Sequence, residues 1–225
     1  MNNCKADCPL CGGVGWISTD VGVDDPDFGK LKRCPNAPKD YWSTGLSSAD
    51  WNISFDELIP NKETETMRKA LTDLLERGKG MLYIYGNFGI GKTHCAKAAT
   101  IQAVNKGYEA RYLRHNQLID DLRRAYDEDK GQSVYRERLD AYKSLRFLAI
   151  DEFGRERMND FSVNAFSEIY DARYEGAIKG RLMTVIISNY DPETTMDKYM
   201  QDRARDRRCS VIELKGISWR RYETK

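Results

Sequence analysis

Gly86, Gly91, Lys92 and Thr93 stand at the spacing G-x-x-x-x-G-K-T within the stretch GNFGIGKT. Glycines so spaced let the backbone curl until its N–H groups point inward, a cradle for phosphate oxygens. The apolar run MLYIYG leads into this loop and the helix-like KTHCAKAATIQAV leaves it. A helix beginning there adds the partial positive charge of its aligned peptides. Lys92 would reach the β- and γ-phosphates of a nucleotide, and Thr93 would offer its hydroxyl to Mg²⁺. Gly86, Asn87, Phe88, Gly89, Ile90, Gly91, Lys92, Thr93 and His94 are therefore assigned to ATP or ADP.

A second stretch, FLAIDE, is an apolar run ending in two carboxylates. Asp151 can hold Mg²⁺ through water. Glu152 can orient or deprotonate an attacking water. A third run, TVIISN, ends in Asn189, which either positions that water or simply forms a turn. In DRARDRRCS, Arg203 and Arg207 are four residues apart and would share a helical face. Phosphoryl transfer needs positive charge on the γ-phosphate, often from a neighbouring subunit. Arg205 and Arg208 read as a solvated basic turn.

The elements that must position these groups alternate. Apolar runs at 81–86, 109–114, 146–152, 182–189 and 210–216 read as strands. Helical periodicity marks 62–77, 92–104, 116–126, 134–145 and 163–176, with Asn116 as an N-cap and Gly176 as a terminator. That alternation predicts an α/β fold, a parallel five-stranded sheet flanked by helices. The chain of 225 residues allows one sizeable core plus an appendage. Three parts are expected: a Cys-rich module at 1–40, a linker and adenine-side segment at 41–60 and an ATPase domain at 61–225.

The net charge of +1 argues neither for nor against nucleic acid, but Gln201–Lys225 holds eight Lys/Arg against four Asp/Glu. The polar start and the lack of about 18 successive apolar residues predict neither secretion nor a membrane span. A cytoplasmic protein with reduced thiols is expected.

Cys4, Cys8, Cys11 and Cys34 follow the spacing C-x₃-C-x₂-C-x₂₂-C in a segment too polar to build a core. Four thiolates suit Zn²⁺ in a closed tetrahedral site, and such an ion would supply most of the segment's folding energy. Four cysteines would also serve an Fe–S cluster. Cys95 and Cys209 read as small buried apolar residues.

The pieces GNFGIGKTHCAKA, LAIDEFG, IYDARYEG, TVIISN and DRARDRRCSVIELKGISWR resemble the AAA+ ATPases of the bacterial DnaC/DnaI-like helicase-loader family and their IstB-type relatives. The resemblance implies a sensor role for Asn189 and trans-acting roles for Arg203 and Arg207. It implies a second sensor at Arg220, a neighbour-facing Arg173, and Phe55 and Ile59 beside the adenine or in the core. Only 36 residues follow Asn189, so a reduced or absent helical lid is expected. The helical helicase-binding domain of the best-known loaders is not expected either.

In that family, extra helical structure after the second strand lines a DNA-facing channel. Arg123, Arg124 and Tyr126 could there contact phosphates and stack on bases, or belong to an ordinary surface helix. The expected function is a helicase loader. It would hydrolyse ATP, self-associate into a ring or spiral, bind single-stranded DNA and deliver a DnaB-like replicative helicase. The alternative is an IstB-like helper ATPase that binds target DNA for a transposase. A binding module with a vestigial loop would not need Lys92, Asp151 and Glu152 intact.

Overall fold

Strand β3 (Gly80–Gly86) lies inside a parallel sheet, and every strand of that sheet runs the same way. The computed structural model describes residues 7–18, 22, 28–29, 31–36, 41–127, 131–155, 159–216 and 218. The other strands are β4 (Ala110–Arg114), β5 (Phe147–Phe153), β6 (Met183–Ser188) and β7 (Cys209–Leu214), in the order β4-β5-β6-β3-β7. Alternate residues face opposite sides. Leu82, Ile84, Ala149 and Val185 enter one core layer, while Met81, Tyr83, Leu148 and Ile186 enter the other. A sheet covered on both faces explains why these strands are near-continuous apolar runs.

Helices α1 (Lys62–Arg77) and α2 (Lys92–Asn105) cover the first face. Asn61 starts α1 through a capping box with Thr64, and Gly78 ends it. Met67, Leu71, Leu74 and Leu75 are buried from it. Each contributes about 1.5–3 kcal/mol by leaving water. The second face carries α3 (His115–Asp127), α4 (Gly131–Ser144), α5 (Asp160–Ile178) and α7 (Lys198–Ala204), with α6 (Pro192–Thr195) before α7. A separate antiparallel pair, β1 (Trp16–Ser18) and β2 (Leu31–Arg33), lies in the Cys-rich segment.

Four expectations change. Helix α3 starts at His115, directly after β4, so Asn116 is inside it and bonds Gln117 N instead of capping. Helix α5 runs through Gly176 to Ile178, and Leu182 packs where a Cβ on Gly176 would lie, 2.3 Å away. The expected linker is packed: Leu46 and Phe55 are in the core, with Tyr41, Trp51, Ile53 and Leu58 against it. Helix α7 ends at Ala204, so Arg203 and Arg207 do not share a helical face.

Candidate functional site

Because the sheet is parallel, the carboxyl ends of β3, β4, β5 and β6 meet at one edge. Ligands of such sheets bind there. The loop 87–91 leaves β3 at that edge and enters α2. Gly86 has φ 145°, and a Cβ on it would lie 2.0 Å from Leu214 O, so no larger residue fits. Ile90 is buried in the core and anchors the loop, so it can offer a ligand only its backbone. Phe88 is exposed at the loop tip. Lys92 Nζ donates to Gly86 O at 2.8 Å and Asn87 O at 2.7 Å, which holds the ammonium across the loop's concave side. Asn87 Nδ2 donates to Gly216 O, tying the loop to the chain beyond β7. His94 Nε2 lies 2.9 Å from Ser54 O, in the segment before α1.

Asp151 is buried, with 2 % exposure, and fully engaged. Its Oδ2 accepts from Thr93 Oγ1 and Tyr112 OH, both at 2.7 Å, and its Oδ1 accepts from Glu152 N. Burial first, then the Asp151 charge, push the Tyr112 phenol well above its ordinary range, so it remains a donor. The hard-oxygen pair Thr93 and Asp151 fits Mg²⁺.

Glu152 sits in a β-bulge. Ile150 pairs with Ile186 and Phe153 with Ser188, so two residues of β5 oppose one of β6. Glu152 has φ 54°, the only positive φ among the described non-glycine residues. That conformation costs about 1–2 kcal/mol. The extra residue turns Phe153 into the same core layer as Leu148 and Ile150. Glu152 Oε2 then accepts from Arg155 Nη1 at 2.8 Å and lies 3.8 Å from Arg114 Nε. Sequence reasoning missed both arginines. Arg114 ends β4, and the strand-end rule applied to Asn189 would have found it.

Asn189 follows β6 at this edge and is half-buried. Ser188 Oγ beside it donates to Phe153 O and accepts from Tyr190 N, linking the segment to the bulge. Phe55 is a core residue, whereas Ile59 is exposed. Arg220 lies outside the described residues. Arg173 does not face a neighbour: it is wholly buried and donates to Thr184 Oγ1, Tyr142 O, Leu145 O and Met183 O. Burial pushes its guanidinium down to about 9. Arg203 pairs with Asp171, and Arg207 is exposed.

Arg123, Arg124 and Tyr126 are exposed near the end of α3. Tyr126 gathers two rings that sequence reasoning missed, Tyr135 of α4 at 5.8 Å and Phe161 of α5 at 6.1 Å. The Arg123 guanidinium lies 5.8 Å from the Phe161 ring centre. No spacing rule joins residues on three helices.

Cys8, Cys11 and Cys34 bring their sulfurs within 4.8 Å of one another. Cys8 Sγ lies 3.7 Å from Cys34 Sγ. Zinc–thiolate bonds of about 2.3 Å in a tetrahedron set neighbouring sulfurs about 3.8 Å apart, so this donor set fits zinc. Gly15 N and Asn36 Nδ2 donate to Cys11 Sγ and Cys8 Sγ. Cys4 lies outside the described residues.

The loop, the strand-end acids and the order of the sheet define an AAA+ P-loop ATP-binding domain. The chain belongs to the family described as IstB-like ATP binding protein, whose pattern matches residues 46–225. It is 29% identical over 119 residues to an ATP-binding protein of insertion sequence IS5376 from Geobacillus stearothermophilus, covering 52% of this chain and 45% of that one. It is 27% identical over 149 residues to the corresponding protein of IS232 from Bacillus thuringiensis subsp. berliner, covering 65% and 57%. The chain thus spans about half the length of these curated relatives. Its fold is similar to the crystal structure of the DnaC helicase loader, with a TM-score of 0.60, 23% identity, and coverage of 75% of this chain and 100% of that one. No helix among the described residues is long and apolar enough to cross a membrane.

Proposed function

We propose that this chain is an ATP-hydrolysing helicase loader that grips single-stranded DNA and delivers a DnaB-like hexameric replicative helicase. It acts as a ring or spiral of copies. Residues 1–40 form a zinc module with Cys4, Cys8, Cys11 and Cys34, residues 41–60 brace the adenine side, and 61–225 form the ATPase.

Lys92 and the loop N–H groups hold the β- and γ-phosphates. Thr93 and Asp151 hold Mg²⁺, which when bound neutralises charge on the phosphates. Glu152 takes the proton of the attacking water, and Asn189 orients that water. To act as that base, Glu152 must release its contacts with Arg155 and Arg114.

The observation that carries the single-strand reading is the ring cluster Tyr126, Tyr135 and Phe161, with Arg123 beside it and Tyr126 52% exposed. Unpaired bases can stack on such a face, at about 1–3 kcal/mol per base. A duplex keeps its bases stacked inside. A second reading, a transposition helper acting on target duplex, draws support from the insertion-sequence relatives.

The test is fluorescence anisotropy with single-stranded and duplex oligonucleotides in the presence of a non-hydrolysable ATP analogue. Preference for the single strand, weakened at least tenfold by Tyr126→Ala with Tyr135→Ala, supports the loader. Preference for duplex, unaffected by those changes, favours the helper.

A further inference from the structure

Tyr112 lies on β4 and is paired across the sheet with Ala149 of β5. Asp151 is two residues further along β5, so its side chain leaves the same face as that of Ala149. The Tyr112 ring runs along that face, and its hydroxyl donates to Asp151 Oδ2 at 2.7 Å.

The ring sits in the core layer that also holds Phe147 and Ala149, and Tyr112 is buried there. A phenylalanine would fill the same space without burying a hydroxyl that needs a partner. Asp151 is the one hydrogen-bond partner of that hydroxyl among the described residues. The same Oδ2 accepts from Thr93 Oγ1, while Oδ1 accepts from Glu152 N, each at 2.7 Å. Two donors thus occupy one carboxylate oxygen and a third occupies the other. Turning the carboxylate about its own bond would break all three. A hydroxyl has a single hydrogen, and that of Thr93 is committed to Oδ2, so its lone pairs stay free for a cation.

Tyr112 is itself held. A Cβ on Gly45 would lie 2.5 Å from Tyr112 O, so the segment before α1 passes directly over its backbone. Lys97 Nζ lies 5.8 Å from the ring centre and donates to Asp50 Oδ1 at 2.8 Å. That segment and α2 therefore fix the ring, and the ring fixes the acid.

We propose that Tyr112 is a positioning residue for the metal site. Its hydroxyl holds the Asp151 carboxylate in the rotation at which Oδ2 meets Thr93, and so keeps that pair set for Mg²⁺. This rests on the reading that Thr93 and Asp151 hold the ion.

The test is calorimetry on the full chain with a non-hydrolysable ATP analogue, once in EDTA and once in saturating Mg²⁺. The ratio of the two affinities reads how well the ion is held. Tyr112→Phe should bind the analogue in EDTA like the wild type, with the Mg²⁺ ratio reduced about tenfold to a hundredfold. Its turnover should fall at low Mg²⁺ and recover as Mg²⁺ is raised. Tyr170→Phe strips a buried hydroxyl from Met200 O in the opposite core layer, and should leave the ratio unchanged. Asp151→Asn should lose most of the ratio. If Asp151→Asn keeps it in full, the reading that Asp151 serves Mg²⁺ falls. If Asp151→Asn loses it while Tyr112→Phe keeps it, the positioning role alone falls. Weaker binding of Tyr112→Phe in EDTA, an equal drop in Tyr170→Phe, or a turnover loss that Mg²⁺ does not recover would mean a general lesion and overturn the proposal.

Discussion

Thr93 Oγ1 donates to Asp151 Oδ2 across 2.7 Å, joining the start of α2 to the end of β5, 58 residues away in sequence. The contact fixes the distance between the phosphate loop and the strand that carries the two acids. Preorganisation of this kind is where much of an enzyme's electrostatic advantage lies. It also explains why the Asp151 side chain can be buried, since two hydroxyls and an N–H satisfy its oxygens.

Lys92→Ala should abolish ATP binding, because backbone N–H groups alone cannot replace a point charge on the β- and γ-phosphates. Glu152→Gln should bind ATP normally and turn it over about 10²–10⁴ times more slowly. Calorimetry and a phosphate-release assay separate the two. Wild-type turnover by Glu152→Gln would remove the residue from its assigned role.

Purified protein should carry zinc at about one ion per chain. Cys8→Ser or Cys34→Ser should release it, whereas ATP binding should persist, because the core of the nucleotide domain lies within 41–216 and does not include these cysteines. Elemental analysis gives the answer. Iron in place of zinc would mean a cluster instead.

Arg173→Met should destabilise the fold by roughly 3–5 kcal/mol, since it strips donors from three buried acceptors and one half-buried one. Two of them, Tyr142 O and Leu145 O, close the end of α4. Urea unfolding measures the loss, and a change below about 1 kcal/mol would contradict the strut.

His115 is buried edge-on between Phe153 and Phe166, and its Nε2 has no hydrogen-bond partner among the described residues. Burial lowers its pKa from 6.5 to about 4. As pH falls through that window, the unfolded chain takes up a proton that the folded chain refuses, so stability is lost. The loss should reach about 2 kcal/mol between about pH 7 and about pH 5. His115→Phe keeps a ring in place and should flatten that slope. An unchanged slope in urea melts would place the acid sensitivity elsewhere.

Much of this was legible in the sequence where chemistry is local. The loop spacing, the strand ending in Asp151 and the five-strand alternation are runs of adjacent residues, and the fold reproduces them. Other features depend on which strands and helices become neighbours. The bulge at Glu152 is a mismatch with β6 and leaves no mark on FLAIDE. Tyr135 and Phe161 join Tyr126 only through the packing of three helices. Arg173 reads as a surface cation until the acceptors at the end of α4 and the start of β6 surround it. Arg203 and Arg207 fit a helical spacing, yet the chain leaves the helix at Ala204, where Asp206 turns back onto Arg208.

The central claim is delivery of a helicase to single-stranded DNA at the expense of ATP. The direct measurement is retention of a purified hexameric replicative helicase on a closed circle of single-stranded DNA, with this protein present. Retention should require ATP, fail with Lys92→Ala, and fall when Tyr126 and Tyr135 are both changed to alanine. No retention above the helicase alone, with ATP hydrolysis intact and tight duplex binding instead, would contradict the account.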